Sequence, residues 1–198
     1  CIRDRHYINR YAFLFNEYIG NKYVYLPELS LRYTGQKTFQ FDNSHKTIAL
    51  YLGGENKEFR KYPDEYAVQL LRLLNRQGYN LLLIGDENDN IKHTQYAEEA
   101  RIDHLINLTA RTTIEGFINT IANVDLIITI DSSALHIAAA VKTPFIALMG
   151  LSTSPTSTIL PKVPLGRILK IENNLIREED YIRNITPDLI LKTISELI

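Results

Sequence analysis

Apolar residues fall along this chain in two kinds of block. From Lys46 onward, short near-continuous apolar runs alternate with longer stretches whose apolar residues recur at helical spacing. The run TIALYL at 47–52 predicts a buried strand that ends at Gly53-Gly54. Asp64 is placed to cap a helix in which Ala67, Leu70, Leu71 and Leu74 form one apolar stripe, and Gly78 is placed to stop it. A second strand is predicted over 79–84, ending at Gly85-Asp86, and a polar helix over 89–100. A short strand over 105–108 precedes a helix opened by Thr113, with Ile114, Phe117, Ile118 and Ile121 at i, i+3, i+4, i+7 spacing. DLIITI at 125–130 predicts a strand that passes through Asp131-Ser132-Ser133 into a helix over 134–141. A further strand is predicted over 144–149, then a Ser/Thr/Pro-rich loop over 151–164 and a last strand over 167–171. Thr186 fits the N-cap, and Pro187 the first position, of a closing helix with Leu189, Ile190, Ile194 and Leu197 inward.

The first part of the chain reads differently. Tyr11, Leu14, Phe15 and Tyr18 predict a helix over 10–19 that Gly20 ends. Residues 20–45 keep no period, hold Pro27 and Gly35, and read as a linker with one short extended piece over 29–32.

Near-continuous apolar strands separated by amphipathic helices mean a parallel sheet covered on both faces. Right-handed crossovers then give an α/β, doubly wound, Rossmann-like domain. Ligands of such sheets bind beyond the carboxyl ends of the strands. The segments at which chemistry is expected are therefore 53–63, 85–87, 131–136 and 150–158.

Composition narrows the picture. The 198 residues are 45% hydrophobic and 23% charged, with a net charge of -1, which speaks against a nucleic-acid-binding surface as the main business of the chain. Cys1 is the only cysteine, so no intrachain disulfide can form, as befits a reducing compartment. No apolar run reaches the roughly 18–20 residues that span a bilayer, and the polar start Cys1-Ile2-Arg3-Asp4-Arg5 is no signal peptide. Met149 is the only methionine, so the sequence reads either as a chain with a processed N-terminus or, the preferred reading, as a segment of a longer protein whose remainder is expected to hold half of the active site.

Ile130-Asp131-Ser132-Ser133-Ala134-Leu135-His136 carries the strongest local signal. A strand turns into a helix through small hydroxyl residues, and the unpaired first N–H groups and the helix dipole favour an anion there. The plainer reading is that Asp131 or a serine is an N-cap and nothing more. His136, in an apolar stretch, reads on its own as a core side chain more readily than as a catalyst. Asp131, Ser132 and His136 share one element and lack a Gly-x-Ser-x-Gly elbow, which counts against a hydrolase. Arg60 and Lys61, after the glycines at 53–54, offer cations for a phosphate or are simply a solvated charged loop. The loop is neither a Gly-x-Gly-x-x-Gly fingerprint nor a P-loop. The histidines (His6, His45, His93, His104, His136) form no close pair on a helical face, so no metal site is expected.

Taken in order, these pieces resemble the C-terminal domain of glycosyltransferase family 9, the lipopolysaccharide heptosyltransferases. The resemblance rests on Arg60-Lys61-Tyr62-Pro63, Leu83-Ile84-Gly85, Val124-Asp125-Leu126-Ile127-Ile128, Asp131-Ser132-Ser133-Ala134-Leu135-His136 with Ala138-Ala139-Ala140, Thr143-Pro144-Phe145-Ile146-Ala147-Leu148-Met149-Gly150, and the closing Ile185-Thr186-Pro187. It covers about three-quarters of the chain. It implies the C-terminal half of a GT-B enzyme, with residues 46–198 as the nucleotide-sugar-binding domain and 1–45 as the tail of the preceding domain plus an interdomain linker.

The resemblance also implies roles. Arg60 stands where the family has a diphosphate-binding lysine, with Lys61 beside it. Glu115 matches a glutamate that holds the donor ribose, and Asp131 would contact the sugar. The backbone of Ser132, Ser133 and Ala134, with His136 nearby, would hold the diphosphate. Ser133 replaces the family's glycine, Tyr62 its tryptophan, and Leu151-Ser152 its Pro-Thr. The implied donor is ADP-heptose or a related nucleotide sugar, with no separate cofactor and no metal. The implied acceptor is the lipid A/core oligosaccharide, engaged through the missing domain, which also carries the acceptor base. The expected enzyme is therefore inverting and metal-independent, the fragment inactive alone, and its location cytoplasmic with peripheral inner-membrane association. Alternatives are another GT-B sugar-nucleotide enzyme, a non-catalytic nucleotide-binding or interaction domain and, third, a dehydrogenase-type domain.

Overall fold

The computed structural model describes residues 14, 16–20, 30–53, 61–150, 161, 163–170 and 178–198. Six parallel strands form one sheet: β1 (Thr47–Tyr51), β2 (Asn80–Leu83), β3 (Leu105–Asn107), β4 (Leu126–Ile130), β5 (Phe145–Met149) and β6 (Gly166–Lys170), in the order β3-β2-β1-β4-β5-β6. Every residue of β1, β2, β4 and β5 is buried, whereas the outermost strands β3 and β6 are only partly covered. This gradient explains the sequence pattern. Inner strands covered on both faces read as near-continuous runs of Leu, Ile and Ala, without the alternation of a half-buried strand.

The helices are α1 (Asp64–Arg76), α2 (Asn90–Ala100), α3 (Ile114–Ala122), α4 (Ser133–Val141) and α5 (Pro187–Ile194). α1 packs against α2 and α5 on one face of the sheet, and α3 packs against α4. The chain runs outward through β1, β2 and β3, then returns to lay β4 beside β1 and continues outward to β6. The order reverses between β1 and β4, the topological switch point of a doubly wound sheet.

Helix ends follow the sequence at α3 and α5. The Thr113 hydroxyl accepts from Gly116 N at 3.1 Å and the Thr186 hydroxyl from Leu189 N at 3.3 Å. α1 differs from the expectation. Pro63 holds its N-cap, Asp64 is the first helical residue, and its carboxylate caps nothing. Lys92 and Tyr96 of α2 claim that carboxylate instead. Gly78, at a φ of +81°, closes the same helix as expected. Residues 30–36 form no strand. Their polar groups are tied to α3: Gly35 N donates to Asn119 Oδ1 at 3.0 Å, Asn119 Nδ2 to Thr34 Oγ1 at 2.8 Å, and Thr38 and Thr120 share a 2.6 Å hydroxyl contact. At the amino edge of the sheet, Asn80 Nδ2 donates to Asn43 Oδ1 and to the His45 carbonyl. Within the predicted helix over 10–19, Leu14 and Asn16 to Ile19 are described; Leu14 and Asn16 to Tyr18 are helical, Ile19 is in a turn, and Gly20 N turns back to Glu17 O at 3.2 Å.

Candidate functional site

The switch point brings two chain segments side by side. Tyr51 of β1 is in register with Thr129 of β4, so Leu52-Gly53 and Ile130-Asp131-Ser132 leave the sheet at the same level. Ser132 is the N-cap of α4, with φ -149° and ψ 174°, yet its side chain makes no capping hydrogen bond. Its hydroxyl lies 2.9 Å from the Thr129 hydroxyl, back toward the strand. The plain N-cap reading therefore fails for Ser132, whose hydroxyl turns away from the helix. Asp131 and Ser132 are half-buried, Ser133 is exposed and Ala134 is buried. A helix start of this kind, on small residues and not capped by its N-cap side chain, is suited to an anion. His136 is exposed on α4, which sets aside the plainer reading of it as a core side chain.

The neighbouring helix α3 presents Glu115 in its first turn, exposed at the same carboxyl edge. Phe117 of α3 meets Tyr51 edge-on, with ring centroids 6.3 Å apart, which holds this helix against the end of β1. Glu115 and the Asp131–Ala134 elbow thus start two packed helices on one face of the sheet. Arg60 lies outside the described residues. Lys61 is described, and it lines a 270 Å³ cavity at the ends of β1 and β2 together with Asp64, Asn88, Asp89, Lys92 and Arg183. Neither Glu115 nor the Asp131–Ala134 elbow lines that cavity. A larger open groove of 910 Å³ lies at the opposite, amino edge, beside Phe39, Asn80 and Asp125.

Inside the 270 Å³ cavity, burial pushes the Asp64 carboxyl upward, but hydrogen bonds from Lys92 and Tyr96 and the charges of Lys92 and Lys61 outweigh it and hold the carboxyl below its ordinary range. Burial, reinforced by the bond to Asp64, drives the Tyr96 hydroxyl far above the usual phenol range. Tyr62, at the family's tryptophan position, is 1% exposed and donates to the Ile185 carbonyl at 2.9 Å, which fastens the closing segment to the start of α1.

Sequence reasoning missed three buried polar residues at this edge. Asp89 is 4% exposed and its carboxylate sits against two glycines. A Cβ on Gly53 would come within 1.6 Å of Asp89 Oδ1, and one on Gly85 within 2.7 Å of Oδ2. Gly53 leaves room for this carboxylate. His93 and Thr109 are fully buried and joined at 2.7 Å. The only signal for them was a single His in a stretch that otherwise looks like a solvated helix.

A six-stranded parallel sheet with a switch point between β1 and β4, flanked by helices, defines a doubly wound α/β domain. The chain belongs to glycosyltransferase family 9 (heptosyltransferase), whose family model matches residues 2–179. The lipooligosaccharide heptosyltransferase 2 of Haemophilus influenzae is 31% identical over 158 residues, which are 74% of this chain and 45% of that protein. The E. coli ADP-heptose lipopolysaccharide heptosyltransferase II superposes with a TM-score of 0.68 at 24% identity, over 77% of this chain and 46% of the other. The family 9 glycosyltransferase of Veillonella parvula superposes with a TM-score of 0.82 at 18% identity, over 100% of this chain and 61% of the other. The chain spans about half the length of the curated relatives it matches.

Proposed function

We propose that this chain is the donor-binding half of a heptosyltransferase, taking a nucleoside-diphosphate sugar of the ADP-heptose kind for transfer to a lipopolysaccharide core acceptor. Family membership and the heptosyltransferase relatives support the reaction class. The observation that carries the site is the start of α4 at the carboxyl edge of the sheet, on small residues, where Ser132 turns its hydroxyl back to Thr129 and does not cap the helix.

In glycosyl transfer the acceptor hydroxyl attacks the anomeric carbon, the bond from that carbon to the diphosphate oxygen breaks, and negative charge grows on the leaving diphosphate. The N–H groups of Ser133 and Ala134 and the positive end of α4 would take up that charge, with Arg60 and Lys61 as the cationic side of the site. Stabilisation by fixed dipoles and cations needs no metal ion. Glu115 would accept from the ribose hydroxyls and Asp131 from the sugar. In an inverting reaction a base must remove the proton of the acceptor hydroxyl. We assign that base to the preceding domain and residues 1–45 to that domain's tail and the interdomain linker, so the 198-residue chain binds donor and does not turn it over.

Thermal-shift measurements with ADP, UDP, GDP and CMP test this reading. ADP is expected to raise the melting temperature, and the other three to do so less. Stabilisation by none of the four would favour a non-catalytic domain, and preference for another nucleotide a different GT-B enzyme. Turnover of ADP-heptose on a lipid-linked acceptor by this chain alone would refute the assignment of the base.

A further inference from the structure

The residue assigned to the donor ribose, Glu115, follows a loop over 108–113 with no helix or strand of its own. We infer that the buried pair His93–Thr109 positions this loop, and through it Glu115, so that His93 is a positioning residue for the nucleoside side of the donor site. The inference rests on the donor-binding reading above.

The geometry is as follows. His93 reaches from the inner face of α2, and Thr109 is the second residue after the end of β3. Both have no solvent exposure. The imidazole Nδ1 and the Thr109 hydroxyl oxygen lie 2.7 Å apart. Thr109 N also receives the Asn107 side chain, donating to Oδ1 at 3.0 Å. The next residue, Ala110, has a φ of +59°, a left-handed conformation that an alanine holds only under constraint. Its N–H donates to the Gly85 carbonyl at 3.1 Å, and Arg111 N to the Leu108 carbonyl at 3.0 Å. The chain then enters the Thr113 cap, and Glu115 follows two residues later. The turn that aims Glu115 thus begins at a side-chain bond between two different elements.

Packing alone does not call for this pair. The second imidazole nitrogen, Nε2, is buried with no hydrogen-bond partner, a cost that a phenylalanine and a valine of similar shape would avoid. What the polar pair adds is direction: a hydroxyl aimed at one nitrogen fixes one arrangement of the loop, which apolar contact does not. Burial also keeps the imidazole neutral, so the bond persists across ordinary pH.

The test uses the 198-residue chain with Thr109→Val, which keeps the shape and removes the hydroxyl, Thr109→Ser, which keeps the hydroxyl, and His93→Phe. ADP and inorganic pyrophosphate affinities are measured by calorimetry, and amide hydrogen exchange at Ala110 and Arg111 by NMR. Thr109→Val and His93→Phe are expected to weaken ADP about tenfold, to leave pyrophosphate within twofold, and to speed exchange at both amides, while Thr109→Ser behaves as wild type. General damage to the fold would weaken both ligands together, and equal loss in the serine and valine variants would point to packing; either result overturns the inference. If the wild-type chain binds no nucleotide, the donor-binding reading fails and exchange alone decides. Unchanged exchange at Ala110 and Arg111 in the valine variant then refutes the positioning role.

Discussion

At the scale of single residues, the buried polar groups of the carboxyl edge give the sharpest expectations. His93 titrates near 6.5 when exposed, and burial lowers it to about 4, against a weaker upward pull from the Asp86 charge. Between those values the unfolded chain binds more protons than the native one. Its contribution to stability is therefore complete above pH 6.5 and is lost as pH falls toward 4, by about 3 kcal/mol. Urea unfolding at several pH values is expected to show this slope in the wild type and a flatter one in His93→Phe. Gly53→Ala should lower stability by about 1–3 kcal/mol in the same assay, because its methyl would displace the Asp89 carboxylate. His93 and Asp89 were not legible in the sequence. The inward stripe of α2 is His93, Tyr96 and Ala100, with no aliphatic residue larger than alanine to mark it, so the helix reads as solvated on all sides. The Asp131–His136 elbow, by contrast, was legible, because a strand running into Asp-Ser-Ser and then alanines is a local pattern.

At the scale of elements, the starts of α3 and α4 make a matched comparison. Thr113 caps α3 in fact, and Ser132 occupies the cap position of α4 without capping. Thr113→Ala is expected to cost about 1 kcal/mol, as cap removal usually does. Ser132→Ala should cost less than about 0.5 kcal/mol, since it removes no cap and Thr129 keeps its contact with the Ile130 carbonyl. Thermal or urea denaturation checks both; an equal loss would mean that Ser132 caps α4 in solution. The strands came out of the sequence to within a residue or two at each end, and the Thr113 and Thr186 caps came out outright, because each depends on residues three or four apart. The cap assigned to Asp64 did not hold. Its competitors, Lys92 and Tyr96, lie 28 and 32 residues further on, and nothing local announces them.

At the scale of the whole molecule, alternating apolar strands and amphipathic helices were enough for the class of fold, and the ordered set of motifs for the family. Strand order was not, since the return of β4 to the side of β1 is a non-local choice that no single segment encodes. That return forms the candidate site, by setting the elbow at Asp131 and the first turn of α3 beside the end of β1. Among the described residues no helix is long and apolar enough to cross a membrane. The central claim, that this edge binds a nucleoside diphosphate, is tested most directly by calorimetric titration of the chain with ADP, repeated with Glu115→Ala and Asp131→Ala. The account predicts saturable binding to the wild type, about tenfold weaker with Glu115→Ala, a loss of about 1.4 kcal/mol, and little changed with Asp131→Ala, because ADP lacks the sugar. Absence of binding, or equal affinity in the wild type and Glu115→Ala, would contradict it.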